Sequence, residues 1–148
     1  MKPEVPLVAD SAVARVLSET RSIALLGASP RPERPSYRVL HFLLDEGYDV
    51  FPVNPNHAGE LIQGRAVYAA LSEVPARIDL VDVFRQSRFL PGVVREAIDV
   101  GARFLWTQLG VVHREAGDDA ERAGLKVVMD RCPAIEIPRL RAAGLLTR

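Results

Sequence analysis

Residues 22–27 read Ser-Ile-Ala-Leu-Leu-Gly, an apolar run that shows no alternation with polar positions. A strand of this kind is buried on both faces, as happens in parallel sheets covered by helices above and below. The rest of the chain repeats the theme. Strand-type runs at 48–53, 78–84, 103–106 and 125–129 alternate with amphipathic helical stretches, the pattern of successive βαβ units. The expected fold is α/β: a Rossmann-like, doubly wound, five-stranded parallel sheet in three layers. Right-handed crossovers favour strand order 3-2-1-4-5.

The helical stretches carry their own punctuation. Asp10 or Ser11 caps a first helix that runs to Glu19 with Val13, Val16 and Leu17 inward. A second spans 36–46, with Val39, Leu40, Leu43 and Leu44 inward and Gly47 as its stop. Pro91 opens a helix reaching Val100, and another occupies 114–123 before Gly124. A short helix is expected over 69–73, and irregular chain over 56–66. Pro133 and Pro138 make the tail a short helix or an irregular packing segment. Pro52, inside the second strand, either places that strand near an edge or ends its pairing early.

With 148 residues the chain is expected to be one domain, 1–148, large enough to bury a core. Nineteen basic residues balance nineteen acidic ones, which gives no electrostatic footprint for nucleic acid. No apolar run approaches the ~20 residues of a membrane span, and residues 1–10 contain no secretory apolar region. The single cysteine, Cys132, permits no internal disulfide. The expected setting is therefore cytoplasmic, with no membrane or nucleic-acid partner.

In a doubly wound sheet, ligands bind beyond the carboxyl ends of the strands where strand order reverses. That rule selects Gly27, Ala28 and Ser29 after the first strand and Asn54-Pro55 after the second. It also selects Arg85 after the third and 107–110 after the fourth. Gly27 permits a tight turn, and the small Ala28 and Ser29 let an anion approach the main chain. Ser36 stands where the next helix begins, and free N–H groups there favour phosphate. Arg31, Arg34 and Arg38 add positive charge nearby; an ordinary βα turn with solvated arginines is the plain alternative. The loop is not G-x-G-x-x-G, and Val53-Asn54-Pro55 replaces the acidic residue that would hold NAD ribose hydroxyls. NADP remains open because arginines are close. The residues alone thus point to a phosphate-bearing nucleotide cofactor.

Arg85 and Arg88 suit a phosphate role and a solvated surface loop equally well. Gln108 has no apolar reason for its position and can hydrogen-bond a ligand, whereas Trp106 is better read as core filling. His41, His57 and His113 are scattered without ligand partners at metal spacing, and His41 reads as a surface histidine. Cys132 is a reactive thiol or an inert buried cysteine, the second being the stronger reading. No catalytic triad or dyad can be assembled, so no catalytic residue is assigned.

Several strings in order resemble the small CoA-binding proteins of bacteria and archaea, relatives of the N-terminal CoA-binding domain of the succinyl-CoA synthetase alpha subunit. They are Leu-Gly-Ala-Ser-Pro at 26–30, Arg-Pro-Ser-Tyr at 34–37, Gly47-Tyr48, and Pro-Val-Asn-Pro at 52–55. Further on come Gly64-Arg65, Tyr68, Val-Asp-Val-Phe-Arg at 81–85, Trp-Thr-Gln-Leu-Gly at 106–110, Ala123-Gly124 and Asp-Arg-Cys at 130–132. The resemblance implies coenzyme A as cofactor. It implies that Gly27, Ser29 and Ser36, with Arg34 nearby, hold the pyrophosphate region. Val53, Asn54 and Pro55 would line the adenosine, Phe84 and Arg85 would lie beside the nucleotide, and Gln108 would face the pantetheine. The phosphorylated histidine of the synthetase belongs to a second domain beyond this stretch. The expectation is a stand-alone CoA or acyl-CoA binder with no catalysis of its own. The alternatives are an NAD(P)-binding oxidoreductase-like protein, an accessory subunit for acyl-CoA chemistry, or a redox role for Cys132 with the CoA thiol. No protein partner is identified.

Overall fold

The computed structural model describes residues 8–147; most of the reading made for residues 1–10 lies outside them. Five parallel strands form the main sheet: β1 (Ser22–Leu26), β2 (Asp49–Val53), β5 (Leu80–Val83), β6 (Phe104–Thr107) and β7 (Lys126–Val128). A small antiparallel hairpin, β3 (Leu61–Ile62) with β4 (Arg65–Ala66), lies between β2 and β5 in the chain. The helices are α1 (Asp10–Glu19), α2 (Pro35–Asp45), α3 (Leu90–Asp99), α4 (Arg114–Arg122) and α5 (Pro133–Ala142).

Both faces of the sheet are covered, as the unbroken apolar run of β1 requires. Ile23, Leu25, Val50, Leu80 and Trp106 pack under α1, α2 and α5, while Ala24, Leu26, Phe51, Val81 and Leu105 pack under α3 and α4. Successive residues point to opposite faces, so one strand feeds two cores. The three-layer Rossmann-like fold is as expected, and Val13, Val16, Leu17, Val39, Leu40 and Leu43 are all buried. Trp106 is wholly buried core, its indole N–H donating to the Arg131 carbonyl at 2.8 Å.

The strand order differs from expectation. It is β2-β1-β5-β6-β7, or 2-1-3-4-5 counting main-sheet strands, instead of 3-2-1-4-5. Pro52 explains the difference. Its carbonyl accepts from the Tyr68 amide at 3.0 Å, on the side of β2 that faces away from β1. A residue's N–H and C=O share one side of a parallel strand, so the N–H that proline lacks would also have faced outward. A third main strand could not pair fully there, and β2 is therefore an edge.

That edge is covered by the hairpin, in a region expected to be irregular. Gln63 (φ +51°) and Gly64 (φ +80°) make its two-residue turn, the left-handed pair that such hairpins need. Arg65 Nε donates to the Val50 carbonyl at 2.8 Å, and its guanidinium also pairs with Asp49 at 2.6 Å. The short helix expected over 69–73 is a 3-10 turn, Leu71–Glu73, and the tail is a genuine helix, α5.

One buried group stands apart. Asp82, central in β5 between Leu25 and Trp106 on the neighbouring strands, is fully enclosed, and neither carboxyl oxygen has a hydrogen-bond partner. Burial pushes its pKa well above the usual carboxylate range.

Candidate functional site

The reversal of strand order falls between β1 and β5. After β1 the chain passes to α2 on one face; after β5 it passes to α3 on the other. The two connections diverge and leave a crevice at the carboxyl ends of the strands. A cleft of about 1510 Å³ opens there. It exceeds the ~300–1,000 Å³ common for drug-sized ligands, so an extended molecule suits it better than a small one.

Its first wall is the loop after β1. Gly27 has φ +92°, and a Cβ there would stand 3.1 Å from the Phe84 carbonyl oxygen. Left-handed backbone and close approach both demand glycine. The Gly27 and Ala28 amides converge on the Val53 carbonyl at 2.9 and 3.3 Å. Asn54 completes the fastening, its side-chain amide donating to the Ala28 carbonyl at 2.8 Å while its Oδ1 accepts from the Asn56 amide at 2.9 Å.

The loop then enters α2. Ser29 donates its amide to Ser36 Oγ at 3.2 Å, and Ser29 Oγ accepts from the Arg31 amide at 3.2 Å. Ser36 is almost buried, yet it lines the cleft, and its hydroxyl hydrogen is left to donate. Arg34 is the N-cap of α2 with an exposed side chain on the cleft wall. Arg31 and Arg38 line it too, Arg38 also donating to the Glu33 carbonyl at 2.9 Å. A helix N-terminus flanked by three guanidinium groups can hold an anion.

The far wall comes from the ends of β6 and β7. Thr107 Oγ1 accepts from the Asp130 amide at 2.9 Å, the Thr107 carbonyl accepts from the Arg131 amide at 3.1 Å, and Asp130 Oδ1 accepts from the Gly110 amide at 2.7 Å. These bonds bring Gln108 and Cys132 into one wall, with Leu109, Val111 and Ala134. Gln108 is 7% exposed and its Oε1 has no partner. A buried amide oxygen left without a donor costs about 1–3 kcal/mol, and a ligand N–H would remove that cost.

Of the residues singled out from the sequence, Gly27, Ser29, Arg34, Ser36, Asn54, Phe84 and Gln108 meet in this cleft. Ala28 and Val53 are buried beneath the wall and act through their carbonyls. Pro55 begins an exposed 3-10 turn, and Arg85 lies with its guanidinium 4.2 Å from the centre of the Phe89 ring. Neither is part of the lining. The wall also includes Tyr37, His41, His57 and Gln63, which the sequence reading did not select. Gln63 donates to the Tyr37 carbonyl at 2.9 Å and accepts from His41 Nδ1 at 3.1 Å, so the hairpin closes the α2 side of the cleft. His41 is a surface histidine, as expected, but one at the cleft rim. Cys132 is buried, also as expected, and faces the same cavity.

Known proteins resemble this chain in sequence and fold. The uncharacterised protein YneT of Bacillus subtilis is 38% identical over 120 residues, which covers 81% of this chain and 87% of YneT. A solved structure of a hypothetical protein from Pyrococcus horikoshii superposes with a TM-score of 0.86 at 38% identity, covering 95% of this chain and 99% of that one. The alpha subunit of an ADP-forming acetate–CoA ligase I from Pyrococcus furiosus is 30% identical over 91 residues, 59% of this chain but only 20% of that subunit. Among the described residues no helix is long and apolar enough to cross a membrane. The model of the CoA binding domain matches residues 21–138, and the chain belongs to that family.

Proposed function

We propose that this chain is a single-domain binder of coenzyme A or acyl-CoA with no catalysis of its own. The observation that carries the reading is the cleft over the N-terminus of α2, where Gly27, Ser29, Arg34 and Ser36 meet, in a chain of the CoA binding domain family. A pyrophosphate fits the positive end of the helix and its arginines. Asn54 and Phe84 belong with the nucleotide, and the partnerless Gln108 Oε1 suits an amide N–H of the pantetheine arm. When bound, the cofactor supplies a thiol that carries acyl groups as thioesters. The residues of the chain bind and orient it. YneT and the P. horikoshii protein are nearly covered end to end by the match, which supports a single domain. The cytoplasm, where thiols stay reduced, is the proposed compartment.

Thermal unfolding tests the proposal. A ligand that binds only the folded state raises the melting temperature by mass action, so CoA is expected to raise it more than NADH or NADPH at equal concentration. A larger shift with a nicotinamide dinucleotide would replace this reading with the oxidoreductase-like one. Mass spectrometry of ligand retained by the purified native protein would identify the acyl group, if one is carried.

A further inference from the structure

We infer that Cys132 is a covalent docking point for the thiol end of the bound cofactor, through disulfide exchange at the Gln108 wall of the cleft. The inference rests on the CoA reading above and goes beyond it, because reversible binding needs no sulfur in the wall.

Cys132 is the sole cysteine of the sequence, so no internal partner competes for it. It is only 8% exposed and it lines the cleft, which gives a reagent a route to it. The bond from the Arg131 amide to the Thr107 carbonyl sets the residue beside the loop that carries Gln108. Gln108 is the independent observation. Its Oε1 is buried without a donor in the same wall, and it suits an amide-bearing arm directed toward this end. Exposed Leu109 and buried Val111 give that arm apolar surface. An amide-bearing chain that ends in a thiol is the chemistry the wall fits.

The co-reactant is the symmetrical disulfide of the same thiol cofactor. Cys132 Sγ, having given up its proton, attacks one sulfur of that disulfide. A new S–S bond forms as the old one breaks, and the departing thiolate takes up a proton. One disulfide is consumed and one is formed, so no other oxidant is required. Binding in the cleft raises the effective concentration of the sulfur at Cys132. Glutathione disulfide offers the same chemistry without the nucleotide.

Intact-mass spectrometry of the wild-type protein after incubation with CoA disulfide tests this. The expected result is an adduct of one CoA, lost on adding dithiothreitol, forming at least about tenfold faster than with glutathione disulfide at equal concentration. Absence of an adduct, or equal rates for the two disulfides, would overturn the inference. A parallel melting measurement with reduced CoA and reductant keeps the two claims apart. A melting shift without an adduct rejects only the exchange; no shift and no adduct reject the CoA reading as well.

Discussion

The side-chain amide of Asn54, at the end of β2, donates a 2.8 Å hydrogen bond to the carbonyl of Ala28, in the loop after β1. Where an NAD-binding chain would place a carboxylate, this chain has an amide that braces the loop after β1. Asn54→Ala is expected to cost about 1 kcal/mol of stability and to weaken CoA binding modestly. Asn54→Asp is expected to weaken binding more, because a carboxylate faces both a carbonyl and the anion site. Calorimetric titration of the two variants checks the order; tighter binding by Asn54→Asp would contradict the anion-site assignment.

Gly27 and Gly110 both have positive φ, +92° and +82°, but only Gly27 is crowded by neighbouring atoms. Gly110→Ala should cost about 1 kcal/mol for the backbone alone. Gly27→Ala adds the clash with Phe84 and should cost about 1–3 kcal/mol, or about 2–4 °C of melting temperature per kcal/mol at this size. It should also displace the loop and reduce CoA binding, while Gly110→Ala should not lose comparable affinity. Equal melting temperatures for the two variants would show that the loop yields without strain.

Arg34 is exposed at the N-cap of α2, so its removal should leave the fold intact and act on the ligand. Arg34→Ala is expected to weaken CoA binding roughly tenfold, the scale of one charge-assisted hydrogen bond. Adenosine and pantetheine, which lack phosphate, should lose almost nothing. If they lose as much as CoA, Arg34 does not contact phosphate.

The elements that carry the first wall were legible because their causes are local. The apolar run of β1 announces a covered sheet, and Gly27 with Ser36 marks a turn feeding a helix. Strand order was not legible in the same way. Pro52 signals either an edge or an early end to pairing, and choosing the side on which the third strand pairs needs the tertiary partner, Tyr68. The hairpin escaped because its strands are two residues each, too short for any period to show, and Gln-Gly is a weaker turn signal than Asn-Gly. Gln63 joins the cleft through that hairpin, where it meets His41 of α2. Cys132 was read as buried, correctly, but the bonds among Thr107, Asp130 and Arg131 that bring it beside Gln108 join residues far apart in sequence.

Two carboxyl groups should give stability opposite dependences on pH. Glu136 is pushed up by burial, but hydrogen bonds from Arg139 and Arg131 outweigh this and hold it below its ordinary value. Its contribution is present above the ordinary carboxylate range and is lost as pH falls through its lowered value. Asp82 behaves in the reverse sense. Above about pH 4 the unfolded chain releases this proton while the folded chain keeps it. Stability therefore declines as pH rises from there toward the raised value of Asp82. Asp82→Val, which suits a central parallel strand, removes both the orphaned carboxyl and this slope. It is expected to stabilise the protein at pH 7 by at least about 1–3 kcal/mol, the cost of the orphaned carboxyl alone. The gap between variant and wild type should narrow toward pH 4. Urea unfolding of both proteins at pH 4.5, 6 and 7.5 measures the gap directly; a gap constant across the series would mean that Asp82 is not protonated alone in the folded state.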